Sequence, residues 1–212
     1  MVELRIVIEG GVLSNVNISA STINNSEKLR EGFHKLLSKM VNPDKFNLVV
    51  EIGAGEKNAA KSFKQYANLD DNVSLVIDLD RSKSLRIQKL EYLEVEEFEK
   101  RVFFMVQEME AWIISQPDVI EECFNARYIR EKVDFKIEND ELFLIHPEAV
   151  SKPSEKLKVF LGRYYSEMKG NIKKKKKYGK LKDAPLLIEN LDIHKLIATF
   201  DDIRLLKTHI EN

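Results

Sequence analysis

The most constraining feature of this sequence is the alternation of short apolar segments with helical patterns in its first 80 residues. The apolar segments cover residues 2–8, 46–52 and 73–77, and glycines or acidic residues end each of them. Short segments rich in β-branched residues are typical of strands. A strand–helix–strand–helix–strand order with short connections predicts an α/β fold with a mainly parallel sheet flanked by helices.

Two helical patterns connect the three predicted strands. Leu29, Phe33 and Leu36 recur at helical spacing, and Ser26 precedes them as a candidate N-cap. The second helix is predicted over residues 57–66. Because each helix lies between two strands, both helices are expected to cover the faces of the sheet.

A fourth strand is predicted at residues 102–106, where the chain again becomes apolar. It runs into residues 107–112, which are expected to begin a helix that Pro117 interrupts or restarts. These elements complete an α/β core that we assign to residues 1–133.

The remainder of the chain, residues 134–212, is predicted to be a mostly helical extension packed as part of the same domain. Its pattern is less regular than that of the core. The expected elements are a short hairpin over residues 135–145, a helix over 154–168, and two further helices near 185–189 and 193–207.

Composition excludes several classes of protein. The formal net charge of −1 provides no overall field that would draw the chain to nucleic acid or a membrane, so any such binding must use a local patch. The single cysteine, Cys123, excludes an internal disulfide and a multi-cysteine zinc site. The N-terminus lacks a signal-peptide pattern and no apolar run spans a bilayer, so the chain is expected in the cytoplasm.

Acidic residues stand where two of the predicted strands end. Glu9 follows the first strand, and Asp78 and Asp80 follow the third. The carboxyl ends of parallel strands share one edge of the sheet, and residues two apart in an extended segment point to the same side. Carboxylates grouped in this way suit Mg²⁺. The alternative is that Asp78 and Asp80 only begin a turn and that Glu9 is solvated.

The same pattern resembles the Toprim fold, the metal-dependent core of topoisomerases, bacterial primases and overcoming-lysogenization-defect nucleases. The resemblance covers residues 2 to about 115 and implies a Rossmann-like parallel sheet. It also implies that Glu9 acts as general acid or base and that Asp78 and Asp80 hold Mg²⁺ or Mn²⁺.

A closer resemblance is to an uncharacterised Toprim-like family of small bacterial and archaeal proteins that are often encoded beside an ABC-type or SMC-type ATPase. Four features carry it: the glycine-rich turn after Glu9, LREGFHKLL, QEMEAW at residues 107–112, and YGKLKDAPLLIENLD at residues 178–192. This resemblance implies an ATPase partner and a role in a two-gene antiviral system.

The sequence departs from the usual Toprim pattern after Asp80, because Arg81 and Ser82 follow and no third aspartate extends the acidic run. Glu108 and Glu110 are candidates for the missing metal ligand. Residues two apart on a helix do not share a face, so only one of them is expected to point inward. The alternative for each is a first-turn glutamate that complements the helix dipole.

A run of lysines is the strongest local charge in the chain. It comprises Lys173, Lys174, Lys175, Lys176 and Lys177, with Lys169, Lys180 and Lys182 nearby. The run predicts either a solvated loop or a contact to the phosphate backbone of DNA or RNA. Lys180 is the candidate for contacting a phosphate or stabilising the transition state.

Together these features predict a Mg²⁺-dependent or Mn²⁺-dependent nuclease that cleaves phosphodiester bonds. Two alternatives stay open. The first alternative is a non-catalytic subunit that binds and regulates an ATPase. The second is a different phosphoryl-transfer enzyme on the same scaffold, such as a nucleotidyl transferase.

Overall fold

A computed structural model describes residues 1–10 and 20–211 of the chain. Its main sheet has four parallel strands in the order β2-β1-β3-β4. The strands are β1 (Val2–Gly10), β2 (Phe46–Ala54), β3 (Val73–Asp78) and β4 (Val102–Met105). The predicted α/β fold with a mainly parallel sheet is confirmed. Because the strands are parallel, all four carboxyl ends lie along the same edge.

The helices that connect these strands are α1 (Ala20–Ser38), α2 (Glu56–Ala67) and α3 (Arg86–Leu93). Successive side chains of β1 point to opposite faces of the sheet. Ile6 and Ile8 join the hydrophobic core that includes α1, whereas Val7 joins the core formed with α2 and α3. Both faces are covered, as expected for a central parallel strand, and each fully buried aliphatic side chain contributes about 1.5–3 kcal/mol.

The second half of the chain adds helices and a small antiparallel sheet in the order β5-β6-β7. The added strands are β5 (Ile129–Arg130), β6 (Tyr165–Lys169) and β7 (Ile172–Lys175). The added helices are α4 (Glu110–Ile114), α5 (Pro117–Asn125), α6 (Pro153–Tyr164), α7 (Lys180–Asn190), α8 (Ile193–Thr199) and α9 (Asp201–Glu211). Pro117 begins α5, and so it restarts the helical path.

Helix α7 packs closely against α1, and this contact joins the C-terminal region to the sheet. A Cβ atom added at Gly32 of α1 would lie 2.8 Å from the backbone oxygen of Pro185 in α7. Leu187 and Ile188 of α7 belong to the same buried cluster as Ile6 and Ile8 of β1. The first residue of α7, Lys180, is therefore placed relative to the sheet by packing rather than by sequence proximity.

The structure corrects the predicted start of the first helix. The described part of α1 is helical from Ala20 onward, so Ser26 lies inside the helix and is not its N-cap. Ser26 had been predicted as the N-cap because a serine side chain can bond to the unpaired N–H groups at the start of a helix. Packing of Leu29 and Phe33 into the core outweighs that weak local preference.

Two further corrections concern residues 135–168. The predicted hairpin over 135–145 is wrong: the chain forms short 3₁₀ turns at Ile137–Asn139 and Glu141–Phe143. The alternating apolar residues that had indicated strands include Ile137 and Leu142, and both lie in the core. The helix predicted over 154–168 ends at Tyr164, because the next residues pair with β5 and β7 as strand β6.

The last predicted helix is in fact two helices, α8 and α9. Phe200 is buried between them in an extended conformation, and this interrupts the helical path. Helix α7 also begins five residues before the predicted Pro185, at Lys180. None of the described helices has the length and apolar character needed to cross a membrane.

Candidate acidic site at the carboxyl edge of the sheet

Strands β1 and β3 are neighbours, and this brings together the acidic residues at their ends. The Oε2 atom of Glu9 accepts a hydrogen bond from the backbone N–H of Asp78 at 3.1 Å. Glu9 is partly buried, and Asp78 is only 5% exposed. The predicted juxtaposition of these two residues is present, and it follows from the parallel register of the two strands.

Asp78 links three parts of the chain through its carboxylate. Its Oδ1 atom accepts a hydrogen bond from the backbone N–H of Met109 at 2.8 Å. Its Oδ2 atom accepts one from Lys180 Nζ at 3.1 Å. Asp78 therefore holds the start of α4 and the start of α7 at the end of β3.

Glu110, in the first turn of α4, supplies a further carboxylate and is fully buried. Its Oε1 atom accepts a hydrogen bond from the hydroxyl of Tyr178 at 3.0 Å. Its Oε2 atom lies 3.6 Å from Lys180 Nζ and has no hydrogen-bond partner among the described residues. Of the two glutamates in this segment, the inward-pointing one is Glu110.

Lys180 is the cation of the site. Its ammonium group contacts both Asp78 and Glu110, and 43% of its side chain is exposed. Burial acts to lower the pKa of Lys180, but attraction first to Asp78 and then to Glu110 outweighs burial, and the net effect raises that pKa. The lysine is therefore charged, rests on two carboxylates and remains accessible from solvent.

The pKa values of the three carboxylates are raised above their ordinary values. Burial, followed by repulsion from Asp78, raises the pKa of Glu9 to about 7. Burial also raises the pKa values of Asp78 and Glu110, although Lys180 opposes that shift for both. Lys180 beside Asp78 and Glu110, and Lys89 near Glu9, do not fully offset the cost of bringing three carboxylates together away from water.

Asp80 does not join this hydrogen-bond network, although it was predicted to converge with Asp78. The backbone of Asp80 has φ 60°, which is left-handed, so the segment after Asp78 is not extended. Its carboxylate pairs instead with Lys89 Nζ at 2.8 Å, and Lys89 also binds Glu56 at the start of α2. Asp80 lies at the rim, with 56% of its side chain exposed.

Glu108 has a structural contact of its own. Its Oε2 atom accepts a hydrogen bond from the backbone N–H of Ser154, which lies in the first turn of α6. Such a contact satisfies one of the N–H groups that a helix leaves unpaired at its start. The expectation that only one of Glu108 and Glu110 would point into the site agrees with these positions.

The lysine run is not a uniform loop. Residues Ile172–Lys175 form strand β7, with exposed side chains. Lys173 pairs with Glu131 at 2.7 Å. Lys176 is 2% exposed and is paired with Asp183, so it is not available to an external ligand. Lys174, Lys175 and Lys177 are exposed and make no ion pair among the described residues.

Sequence reasoning missed Tyr178 and the Lys176–Asp183 pair. Both lie in or beside the segment YGKLKD, which stood out only through its family resemblance. Nothing in the local pattern distinguishes Lys176 from its four lysine neighbours. Its burial depends on the position of α7, which is a tertiary feature.

The donor atoms at this edge suit a hard divalent cation, because Glu9, Asp78 and Glu110 offer carboxylate oxygens. The buried Oε2 atom of Glu110 accepts no hydrogen bond among the described residues, and the nearest cation to it, Lys180 Nζ, is at 3.6 Å, so its capacity to bind a ligand is not used up. Within residues 1–10 and 20–211, however, no three histidine, cysteine or acidic side chains are grouped closely enough to hold a metal ion as they stand. The ammonium group of Lys180 lies between Asp78 and Glu110.

The fold and the site define a class of protein: a parallel α/β protein with a buried acidic site at the carboxyl edge of its sheet. The chain belongs to the family described as domain of unknown function DUF4276, which it matches over residues 18–210. No curated protein and no solved structure gave a match. The Toprim resemblance, the nuclease activity and the ATPase partner therefore stay predictions.

Proposed function

We propose that this protein is a Mg²⁺-dependent or Mn²⁺-dependent hydrolase that cleaves phosphodiester bonds in nucleic acid. The observation that carries the proposal is the convergence of Glu9, Asp78 and Glu110, which come from three separate elements. Glu9 bonds to the backbone of Asp78, and the ammonium group of Lys180 lies against Asp78 and Glu110. The convergence lies at the edge where parallel α/β proteins bind their ligands.

The charge balance supports a function for this cluster rather than a structural role. Buried carboxylates that share one lysine cost stability, and apolar residues would pack the same space without that cost. Strongly perturbed ionisable groups of this kind concentrate at functional sites. The excess negative charge is what a divalent cation would balance.

Asp78 and Glu110 would hold the metal, which would take over the contacts that Lys180 makes with both carboxylates. When bound, Mg²⁺ or Mn²⁺ would supply positive charge to the phosphate oxygens and would lower the pKa of an attacking water. Mg²⁺ is commonly held by one or two protein carboxylates together with substrate oxygens and water. A small acidic set is therefore sufficient for this chemistry.

The remaining steps are assigned to residues of the chain. In hydrolysis, water adds to phosphorus, one P–O ester bond breaks, and the products are a phosphomonoester and a hydroxyl group. Glu9, whose pKa is about 7, suits accepting the proton that the water loses. Lys180, charged and partly exposed, suits contacting a phosphate oxygen on which negative charge develops. Tyr178 fixes the orientation of Glu110.

Contact with the substrate is assigned to exposed lysines that are close to Lys180 in the sequence. Lys174, Lys175, Lys177 and Lys182 line a groove of about 460 Å³ beside the small sheet, together with Lys169 and Glu167. Phosphate backbones are bound mainly through such lysines, and this binding weakens steeply with salt. Lys176 also lines this groove but is already paired with Asp183.

The test is cleavage of supercoiled plasmid DNA and of a structured RNA with Mg²⁺ or Mn²⁺. We expect the wild type to cut at least one of these substrates, and we expect Asp78→Asn and Glu110→Gln to abolish cutting. Glu122→Gln, at an exposed position on α5, is the matched control and should cut normally. Titration of Mn²⁺ by electron paramagnetic resonance provides a second measurement. If the folded wild type neither binds Mn²⁺ nor cuts, the proposal is wrong.

A further inference from the structure

The structure assigns a positioning role to the buried ion pair of Lys176 and Asp183: we infer that it holds Tyr178 and Lys180 on the carboxylates of the acidic site. The expected effect of the ion pair on the rate of cleavage rests on the proposed function. The dependence of Lys180 on the pair for its position is independent of that function.

The pair is short and enclosed. Lys176 Nζ lies 3.0 Å from Asp183 Oδ1 and 2.8 Å from Oδ2, and the two side chains are 2% and 6% exposed. The same ammonium group donates to the backbone oxygen of Lys177 at 2.8 Å. It lies 4.8 Å from the centre of the Tyr128 ring. All of these contacts favour one orientation of the lysine.

Asp183 also fixes the start of α7. Its Oδ2 atom accepts a hydrogen bond from the backbone N–H of Gly179 at 2.8 Å. That N–H group immediately precedes the helix and has no partner within it. At the other end of the segment, the backbone N–H of Lys176 donates to Tyr165 of β6 at 2.8 Å. The chain is therefore held on both sides of residues 177–182.

Two side chains between these anchors enter the acidic site. Tyr178 donates to Glu110 at 3.0 Å, and Lys180 donates to Asp78 at 3.1 Å. Tyr178 also belongs to the buried core, and the helix that Lys180 begins packs against α1 from Pro185 onward. Displacing the segment would therefore move both side chains together.

Stability alone does not account for the pair. A buried ion pair is often no more stabilising than apolar side chains of the same size, because both charges lose their hydration. What an ion pair adds is directional geometry. Here the two charges lie close to the proposed phosphate-binding lysine, because Lys176 is four residues before Lys180 and Asp183 is three residues after it. The fixed orientation of Lys180 is the feature that the pair provides.

The test compares Lys176→Met and Asp183→Asn with the control Lys61→Met, at an exposed position on α2. The first measurement needs no activity: the rate at which an amine-acetylating reagent modifies Lys180, together with hydrogen exchange of a peptide spanning residues 177–183. We expect both rates to rise in the two pair variants and to remain at the wild-type value in the control, with exchange elsewhere unchanged. Unchanged rates at Lys180 in the folded variants would overturn the inference.

The second measurement is steady-state cleavage. A displacement of about 1 Å at a catalytic group lowers kcat by about 100-fold, and we expect a loss of this order with KM unchanged. A change in KM alone would overturn the positioning role. If Lys176→Met does not fold, the double variant Lys176→Met/Asp183→Leu replaces both charges with apolar groups and takes its place. If the wild type does not cut at all, the proposed function fails, while the acetylation result still decides the inference.

Discussion

Lys180 Nζ lies 3.1 Å from Asp78 Oδ2, although 102 residues separate the two along the chain. The contact joins the end of a central strand to the first residue of a C-terminal helix. It makes the acidic site a product of both halves of the protein. The effect of removing the lysine is therefore the most direct measure of how the site is held.

Lys180→Met should lower the free energy of unfolding in the absence of divalent cations. The substitution removes the only cation in contact with both Asp78 and Glu110 among the described residues, and leaves two buried carboxylates without it. Because the lysine is partly exposed, we expect a loss of about 1–3 kcal/mol rather than more. Urea unfolding measures the loss. Lys158→Met is the control, and an equal effect in both variants would contradict the argument.

The stability of the metal-free protein should fall as the pH rises from about 4.5 to about 7. The pKa of Glu9 is about 7 in the folded state against an ordinary value of 4.5. A raised pKa means that the unfolded state releases its proton first, so the contribution of Glu9 is fully present at low pH and is lost by pH 7. The loss is on the order of 3 kcal/mol. Chemical unfolding at several pH values measures it.

Glu9→Gln is the matched variant for that pH series. Glutamine keeps the shape and the acceptor oxygen but does not titrate. Between about pH 4.5 and about pH 7, Glu9→Gln should lose on the order of 3 kcal/mol less stability than the wild type. Parallel curves for the two proteins would show that Glu9 is not the titrating group.

Mn²⁺ should stabilise the wild type against heat. A ligand that binds only the folded state adds about 3 kcal/mol at one hundred times its Kd. The rise in Tm should disappear in Asp78→Asn and in Glu110→Gln and should persist in Asp80→Asn, because the Asp80 carboxylate pairs with Lys89 instead. Loss of the effect in Asp78→Asn and Asp80→Asn but not in Glu110→Gln would return the metal site to the predicted Asp78–Asp80 arrangement.

Gly32→Ala should impair the acidic site from a distance. The added Cβ would lie 2.8 Å from the Pro185 backbone oxygen, so α1 and α7 would have to separate. Overpacking of this kind costs about 1–3 kcal/mol. We expect lower stability and faster acetylation of Lys180. Glu31→Ala, at the neighbouring exposed position on α1, is the control and should be close to the wild type.

Replacement of Lys174, Lys175 and Lys177 by glutamine should weaken binding of DNA or RNA oligonucleotides. Each lost phosphate contact should reduce the slope of log affinity against log salt by about 0.9 for a duplex. Fluorescence anisotropy at several salt concentrations measures the slope. Lys173→Gln should have a smaller effect, since Lys173 is already paired with Glu131. An unchanged slope in the triple variant would exclude this surface.

Much of the fold could be predicted because its signals are local. The apolar segments that became β1, β2, β3 and β4 were visible as runs in the sequence, and the parallel arrangement followed from their alternation with helices. Glu9 and Asp78 were predictable neighbours for the same reason. The hairpin over 135–145 failed because alternating apolar residues can face a core from irregular turns as well as from strands.

The sequence by itself determined that this protein is a parallel α/β fold with acidic residues at one edge, since hydrophobic periodicity and strand-ending residues act within a few positions of each other. Only the tertiary structure decided that Glu110 rather than Glu108 faces inward, that Asp80 turns toward Lys89, and that Lys176 is buried within a run of exposed lysines. These outcomes depend on how α4 and α7 pack against the sheet, and packing is set by contacts between residues that are far apart in the chain.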